Sequence, residues 1–390
     1  MVPTPPLSPE RFAAVEAHVR ALVADGTLPH AHFLGVRDGE VVSEFCTGEA
    51  REDGRPLRTD AIYRIASMTK AVTAVLFMML VEDGRVALDD PVADVLPELA
   101  DLAVYGGGAF PPFATRPAAA QPTMIDLLRH VGGFTYGFQQ HSPVDQAYWL
   151  KGIHNFKAVI TRDGVLGDLA RLPLLHEPGE RFTYSFGIDL IGIVCERLTG
   201  RSLGDLFADR IFAPLGMEDT GFTLRPQDAD RFTNAWAMHP RRGRYLYDAA
   251  DDSIWLRPSA FESGGGGLLS TMADYRRFCA TLIGEGEALL RPETVAAMTR
   301  NHLPGGGSIG EMSRSKFGGE PYLHTGHGLG VAVSLPGGAR PAGEFHWSGL
   351  FSTWFSVVPS ERMILILMTQ IMPLQEDVLP FTIHRMLFGD

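Results

Sequence analysis

The chain has 390 residues, of which 45% are hydrophobic and 21% are charged, as in ordinary globular proteins rather than disordered or fibrous ones. This length exceeds what a single hydrophobic core usually fills, so we expect two lobes. The formal net charge of -12 argues against nucleic acid or an anionic membrane as a partner, since both recruit an excess of lysine and arginine.

The N-terminal stretch from Met1 to Phe12 lacks the basic start and apolar run of a secretory signal, so we expect a cytoplasmic protein. The three cysteines, Cys46, Cys195 and Cys279, are far apart, which predicts buried thiols rather than disulfides or zinc ligands. The longest apolar stretch, Ala71 to Val81, is too short to span a bilayer. We expect no membrane partner, no metal and no other cofactor.

The first predicted elements are a helix and a hairpin. Ser8 to Glu10, followed by apolar residues at helical spacing and by Gly26, predicts a capped helix. Two alternating segments, Ala31 to Arg37 and Glu40 to Thr47, are joined by Asp38-Gly39, a dipeptide typical of two-residue hairpin turns. The chain therefore begins with a helix that is followed by two antiparallel strands.

The later elements predict a sheet that is interrupted by a helical segment. From about Asp90 to Trp255 the patterns favour helices and loops, with no convincing strand pair. Three strand-like segments and a terminal helix follow, the strands at 344–349, 351–358 and 363–369. Short turns between neighbouring strands imply antiparallel pairing.

We therefore predict an α/β (α+β) fold in which the first hairpin and the last strands form one antiparallel sheet, flanked by helices. Residues 1–90 and 255–390 would form this α/β domain. Residues 91–254 would form an inserted, mostly helical domain.

Ser67 opens the most apolar helix of the chain, and Lys70 lies one helical turn later, so both side chains project from one face. A serine hydroxyl is a weak nucleophile until a base takes its proton, and a desolvated lysine amine can act as that base. The pattern alone is weak, since serine commonly caps helices. Ser313-Arg-Ser-Lys316 matches it without an apolar helix and is discarded. Gly306-Gly-Ser308-Ile-Gly310 resembles a nucleophile elbow but lacks its flanking elements, which predicts a flexible loop.

Six short motifs resemble those of the class C β-lactamases and the family VIII carboxylesterases, in the same order. They are Ser67-Met-Thr-Lys70, Leu127-Leu-Arg-His-Val-Gly-Gly133, Tyr184-Ser-Phe186, Ala213-Pro-Leu-Gly-Met217, Ser263-Gly-Gly-Gly-Gly267 and Trp347-Ser-Gly349. The resemblance extends from about Ile62 to Pro359. It implies the fold of the serine β-lactamases and DD-peptidases.

The resemblance also implies the roles of the site residues. Ser67 would attack the acyl carbon of the substrate, and Lys70 and Tyr184 would share the role of general base, with Tyr184 later activating the hydrolytic water. The protons of such a pair are coupled, so the base is assigned to both residues together. The backbone amides of Ser67 and Leu350 would stabilise the oxyanion.

The chain departs from the β-lactamase pattern at two positions. Trp347 replaces a lysine suited to a substrate carboxylate, and Phe186 replaces an asparagine suited to an amide. Both changes favour small, uncharged carboxylic esters. Trp347, Phe186 and Gly349 are thus candidate substrate-binding residues, and Tyr136 and Phe138 are candidates for lining the acyl pocket, although aromatic residues in such loops are more often core.

The leading hypothesis is a serine esterase that hydrolyses a small-molecule ester through a Ser67 acyl-enzyme. Acyl transfer to an alcohol or amine stays open, because water and other acceptors attack the same intermediate. Weak β-lactam or amide hydrolysis is disfavoured by the missing lysine and asparagine. A non-catalytic binding protein is disfavoured because Ser67, Lys70 and Tyr184 are all present. The histidines at 324, 327 and 346 are expected to be structural, and the sequence carries no signal for an oligomeric state.

Overall fold

The computed structural model describes residues 7–153, 160–239, 241–320, 322–372 and 378–389. Within these residues the α-helices are α1 (Pro9–Ala24), α2 (Thr69–Glu82), α3 (Met124–Leu128), α4 (Pro143–Lys151), α5 (Arg162–Leu169), α6 (Gly187–Thr199), α7 (Leu203–Phe207), α8 (Ala213–Leu215), α9 (Met272–Thr281), α10 (Pro292–Met298), α11 (Ile309–Met312) and α12 (Val378–Phe388).

The strands in the same ranges are β1 (His30–Arg37), β2 (Glu40–Gly48), β3 (Tyr63–Arg64), β4 (Ala103–Gly107), β5 (Ala114–Pro117), β6 (Ala235–His239), β7 (Gly243–Asp248), β8 (Leu269–Ser270), β9 (Thr325–His327), β10 (Ala332–Ser334), β11 (Phe345–Ser348), β12 (Trp354–Val358), β13 (Met363–Met368) and β14 (Ile371–Met372).

A seven-stranded sheet forms the centre of the fold, in the order β2-β1-β13-β12-β11-β10-β9. Every pair of neighbouring strands in it is antiparallel. The first hairpin lies beside the last long strand, with His32 opposite Met368 and Arg37 opposite Met363. The predicted fold class, one antiparallel sheet that combines both ends of the chain, is confirmed.

The hairpin turn has the geometry that its dipeptide predicts. Asp38 and Gly39 have φ values of 49° and 79°, so both lie in the left-handed region that a type I′ turn requires. This turn leads the chain directly from β1 back into β2 and sets their antiparallel pairing.

Helices cover both faces of the sheet because its central strands carry apolar side chains on both faces. On one face, Phe33 of β1 and Leu365 of β13 pack with residues of α1 and α12 in one hydrophobic core. On the other face, Leu34 and Ile364 belong to a larger core that includes almost all of α2. The prediction of a sheet flanked by helices is confirmed, and both terminal helices are among them.

The prediction that residues 90–255 contain no strand pair is wrong. The hairpins β4–β5 and β6–β7 lie within this segment, and β14 pairs with β6 in a parallel arrangement. The first hairpin has a fully exposed β5 and a glycine-rich β4, so it shows little of the apolar alternation that marks a half-buried strand. The domain boundaries at 90 and 254 stay predictions; the seven strands of the main sheet all lie outside that segment.

Cys195 and Cys279 are buried, as expected, whereas Cys46 is partly exposed, and all three are free thiols. None of the helices in the described ranges is both long enough and apolar enough to cross a membrane.

Candidate active site

Ser67 lies in a short 3-10 turn, Ala66–Met68, that leads directly into α2. Ala66 has a φ of 44°, a left-handed conformation that is uncommon for a residue with a Cβ atom. Such conformations persist only where the surrounding packing enforces them, and Ala66 is buried in a small core beneath the site. In this turn the Ser67 side chain lies in the lining of a large cavity.

Lys70 lies one turn along the same helix and is almost completely buried. Its Nζ atom donates to Gly265 O at 2.5 Å and lies 3.3 Å from Ser67 Oγ. The same Nζ atom also lies 4.8 Å from the ring centre of Tyr184 and 5.3 Å from that of Tyr136. Lys70 is therefore held in an aromatic environment with its Nζ atom close to the Ser67 hydroxyl.

Tyr184 contacts the same hydroxyl from a distant part of the sequence. Its phenol donates to Ser67 Oγ at 2.7 Å, although the two residues are 117 positions apart in the sequence. The Gln139 side chain donates to the Tyr184 carbonyl at 2.6 Å, and the rings of His130 and Trp347 pack against the phenol at 4.9 and 5.4 Å. The three predicted catalytic residues thus lie together around one oxygen atom.

Asp189 is a site residue that the motif comparison did not single out. Its carboxylate accepts hydrogen bonds from the Gly265 amide at 3.0 Å, from Ser263 Oγ at 2.5 Å and from the Tyr136 hydroxyl at 2.9 Å. Since the carbonyl of Gly265 accepts from Lys70, Asp189 fixes the loop that positions the amine. Its signal in the sequence was a lone carboxylate within the apolar run of α6.

The Tyr136 hydroxyl is one of the three donors that hold Asp189. Burial, together with the neighbouring Asp189 carboxylate, raises the pKa of Tyr136 well above its ordinary value. The phenol therefore stays protonated and remains a donor to Asp189.

The Trp347-Ser-Gly349 motif closes the site at the end of β11. A Cβ atom on Gly349 would lie 2.2 Å from Thr353 Oγ1 and 2.4 Å from Ile65 O, so only glycine allows this segment to approach the residues before Ser67. Leu350 follows it and lines the same cavity as Ser67. The role of the Ser67 and Leu350 amides as an oxyanion hole stays a prediction.

Two histidines lie beside Tyr184: His130 packs against its ring, and His327 packs against His130. Burial lowers the pKa of His327 to about 4 and that of His130 well below its ordinary value, so both rings are neutral near pH 7. His346, next to Trp347 on β11, also lines the cavity described below, and burial together with the charge of Arg340 lowers its pKa well below its ordinary value. Across the described residues, no group of three or more His, Cys, Asp and Glu side chains is arranged to hold a metal ion.

The site opens into a cavity of about 820 Å³. Every predicted substrate-binding residue lines it: Tyr136, Phe138, Phe186, Trp347 and Gly349. Trp149 lines it as well, whereas Tyr148 is a buried core residue beside Phe186. The cavity is therefore mostly aromatic close to Ser67.

Neither of the two discarded motifs places its serine in the cavity lining. Ser308 is not in a flexible loop as predicted, because it caps the short helix α11 in a reciprocal arrangement with Glu311. Ser313 is buried and bonded to Ser315, away from the cavity lining. Lys316, however, does line the cavity, which the sequence argument missed.

The chain is similar to known proteins over most of its length. A model of the Beta-lactamase family matches residues 15–383. An uncharacterized protein of Mycobacterium tuberculosis is 35% identical over 333 residues, covering 82% of this chain and 80% of that protein. Esterase EstB of Burkholderia gladioli is 28% identical over 377 residues, covering 90% of each chain.

Among solved structures, EstCE1, described as a hydrolase with promiscuous acyltransferase activity, has the same fold, with a TM-score of 0.79 and 23% identity over 98% of this chain and 99% of its own. The family match spans nearly the whole sequence, and its range includes Ser67, Lys70 and Tyr184. The chain therefore belongs to the β-lactamase family.

Proposed function

We propose that this protein is a serine carboxylesterase that works through an acyl-enzyme on Ser67. The observation that carries the proposal is the convergence of Lys70 Nζ and the Tyr184 hydroxyl on Ser67 Oγ. Membership of the β-lactamase family and the likeness to esterase EstB support it. Nothing in the reaction requires a cofactor.

In the first half of the reaction, Ser67 Oγ attacks the ester carbonyl carbon and its proton passes to the coupled Lys70–Tyr184 pair. The oxyanion would be held by the amides of Ser67 and Leu350. Collapse of the tetrahedral intermediate breaks the bond to the alcohol, which leaves with a proton from the same pair. Ser67 then carries the acyl group.

In the second half, a water molecule attacks the acyl carbon while Tyr184 takes its proton. A phenolate can do this only next to a cation, and Lys70 lies 4.8 Å from the ring centre. Collapse of the second intermediate releases the carboxylic acid and returns a proton to Ser67 Oγ. The resting hydrogen bonds are thereby restored.

The surroundings of Ser67 favour esters over amides and β-lactams. Trp347 and Phe186 place apolar rings where the β-lactamase pattern has a lysine and an asparagine. A cavity of about 820 Å³ lies near the upper end of the range for drug-sized ligands, so the acyl or alcohol part can be bulky as well as small.

The direct test is turnover of p-nitrophenyl acetate, butyrate and octanoate, combined with labelling by a serine-directed phosphonate. We expect hydrolysis of all three esters and one covalent adduct, located on Ser67 by peptide mass spectrometry. An adduct on another serine, or hydrolysis that continues after complete labelling of Ser67, would refute the proposed nucleophile.

Nitrocefin provides a second test, of the substrate class. We expect its hydrolysis to be at least about 100-fold slower in kcat/KM than that of p-nitrophenyl butyrate, since neither a cation at position 347 nor an amide at position 186 is present to bind it. Comparable rates for the two substrates would contradict the preference for esters.

Asp189 provides a test of the positioning network. An Asp189→Asn variant is expected to lower kcat about tenfold and the free energy of unfolding by about 1–3 kcal/mol, because the amide cannot accept from all three donors. Asp209, an exposed partner of Arg201, serves as the control, and Asp209→Asn should change neither quantity appreciably. Steady-state kinetics and urea denaturation measure both effects; wild-type kcat in Asp189→Asn would contradict the positioning role.

Acyl transfer is a second candidate, favoured by the size of the cavity, which can hold an alcohol beside the acyl group. The hydrolase EstCE1 is described as having promiscuous acyltransferase activity, which supports the same possibility here. Product analysis with increasing alcohol at constant ester distinguishes the two, since a transferase forms the new ester in preference to the acid.

A further inference from the structure

Two segments from distant parts of the sequence meet next to the Ser67 turn. One is the turn itself, Ala66–Met68, with Ile65 before it. The other is the loop that joins β11 to β12 and contains Gly349 and Leu350. A Cβ atom on Gly349 would lie 2.4 Å from Ile65 O, so the two backbones are in direct contact. Ser67 and Leu350 both line the cavity, and their spacing therefore depends on what holds these segments together.

The side chain of Thr353 holds the first segment. Thr353 is completely buried, and its Oγ1 atom donates to Ile65 O at 3.2 Å, although the two residues are 288 positions apart. The same carbonyl oxygen accepts from the Met68 amide at 3.1 Å, which is the hydrogen bond that closes the turn around Ser67. The Thr353 hydroxyl is thus bonded to the atom on which the conformation of this turn depends.

The backbone of Thr353 holds the second segment. Its carbonyl accepts from the Gly349 amide at 2.7 Å, and the Gly349 carbonyl accepts from the Ser352 amide at 2.9 Å. These two bonds close the loop in which Leu350 lies. One buried residue therefore links the loop of Leu350 to the turn of Ser67, through its backbone on one side and its hydroxyl on the other.

The spacing of the two segments matters for the chemistry at Ser67. Two amides stabilise an oxyanion only if both aim at the position that the developing charge will occupy. A displacement of about 1 Å at a reacting centre can lower a rate about 100-fold. A single hydrogen bond that joins the two amide-bearing segments is therefore well placed to affect the rate without contacting the substrate.

We propose that Thr353 is a positioning residue whose hydroxyl sets the spacing between the backbone amides of Ser67 and Leu350, and thereby the stabilisation of the oxyanion. This role rests on the proposed esterase function and on the prediction that these two amides form the oxyanion hole. Thr353 is absent from the described lining of the cavity, so it acts through Ile65 and Gly349 rather than on the ester itself.

The test compares p-nitrophenyl butyrate with its thionoester, in which sulfur replaces the carbonyl oxygen. Sulfur accepts hydrogen bonds weakly, so backbone amides stabilise a negative charge on it much less than they stabilise an oxyanion. Both substrates release p-nitrophenol. The measured quantity is the ratio of kcat/KM for the ester to kcat/KM for the thionoester, because a general loss of folded enzyme lowers both rates and leaves this ratio unchanged.

In Thr353→Val, which replaces the hydroxyl with a methyl group of similar size, we expect kcat/KM to fall about tenfold for the ester and less than about twofold for the thionoester. Thr353→Ala adds no atom to the core and should show the same fall, so the result does not depend on the folding of one variant. Thr353→Ser keeps the hydroxyl and should keep at least about half of the wild-type ratio.

Thr281→Val is the matched control. Thr281 is a buried threonine on α9 whose Oγ1 atom donates to a carbonyl, that of Phe278, at 2.9 Å, and it does not line the cavity in its described part. The same substitution there removes the same kind of hydrogen bond away from Ser67. Its ratio of ester to thionoester should equal that of the wild type.

If the wild type hydrolyses the ester with Ser67 and neither Thr353→Val nor Thr353→Ala changes the ratio, the inference is wrong and the esterase function stands. A fall in Thr353→Ser as large as in Thr353→Val would also overturn it, since the hydroxyl would not be responsible. An equal fall in Thr281→Val would do the same. If the wild type shows no ester turnover that depends on Ser67, the proposed function fails and the inference fails with it.

Discussion

A Ser67→Ala variant is expected to lose at least about 10⁴-fold in kcat/KM for p-nitrophenyl butyrate. The reason is geometric: Ser67 Oγ is the oxygen on which both Lys70 and Tyr184 converge, and it faces the cavity. Removing it leaves the amine and the phenol without a nucleophile to activate. The measurement is steady-state hydrolysis at matched protein concentrations.

The chain supplies two matched controls for this variant, Ser308→Ala and Ser313→Ala. Both serines belong to sequence patterns associated with nucleophiles, yet one caps α11 and the other bonds to Ser315. Each control should keep activity within about threefold of the wild type, and Ser308→Ala should lose about 1 kcal/mol of stability as a helix cap. A loss of activity in either control as large as that in Ser67→Ala would invalidate the assignment.

Replacing Tyr184 with phenylalanine is expected to lower kcat by about 10³-fold while leaving the free energy of unfolding nearly unchanged. The ring contacts with His130, Trp347 and Phe317 remain in the variant, whereas the hydroxyl 2.7 Å from Ser67 Oγ is lost. Because Tyr184 would serve both acylation and deacylation, both phases of single-turnover kinetics should slow.

Tyr247→Phe is the control for this substitution, because Tyr247 also lines the cavity but makes no hydrogen bond with Ser67. We expect less than a threefold change in its kcat. A Tyr184→Phe variant that keeps more than a tenth of wild-type kcat would show that Lys70 alone can act as the base. A marked fall in thermal stability would instead indicate a structural role for the hydroxyl.

The sheet was predictable where local chemistry and hydrophobic pattern agree. Asp38-Gly39 predicts its turn from backbone preference alone, and the nearly continuous apolar run of β13 predicts a buried strand. The hairpins β4–β5 and β6–β7 were not predictable in the same way. Many of their side chains are exposed, so the alternation that marks a strand is absent there.

The candidate site was predictable only as far as short motifs extend. Ser67 and Lys70 are neighbours on a helix, and Tyr184 belongs to a motif that precedes another helix. Asp189 and Lys316 join the site through contacts across the fold that no spacing in the sequence encodes. Their positions depend on the loop at Gly265 and on Phe317, which come to the cavity only in the folded chain.

The pairing of β1 with β13 has a consequence during synthesis on the ribosome. β1 is buried almost completely in the finished sheet, yet the strand that covers its free edge is translated more than 300 residues later. At typical elongation rates, the edge of β1 waits roughly 20 to 60 s for its partner. An unpaired apolar edge is a template for association between nascent chains, so we expect the N-terminal hairpin to need shielding from other chains until translation ends.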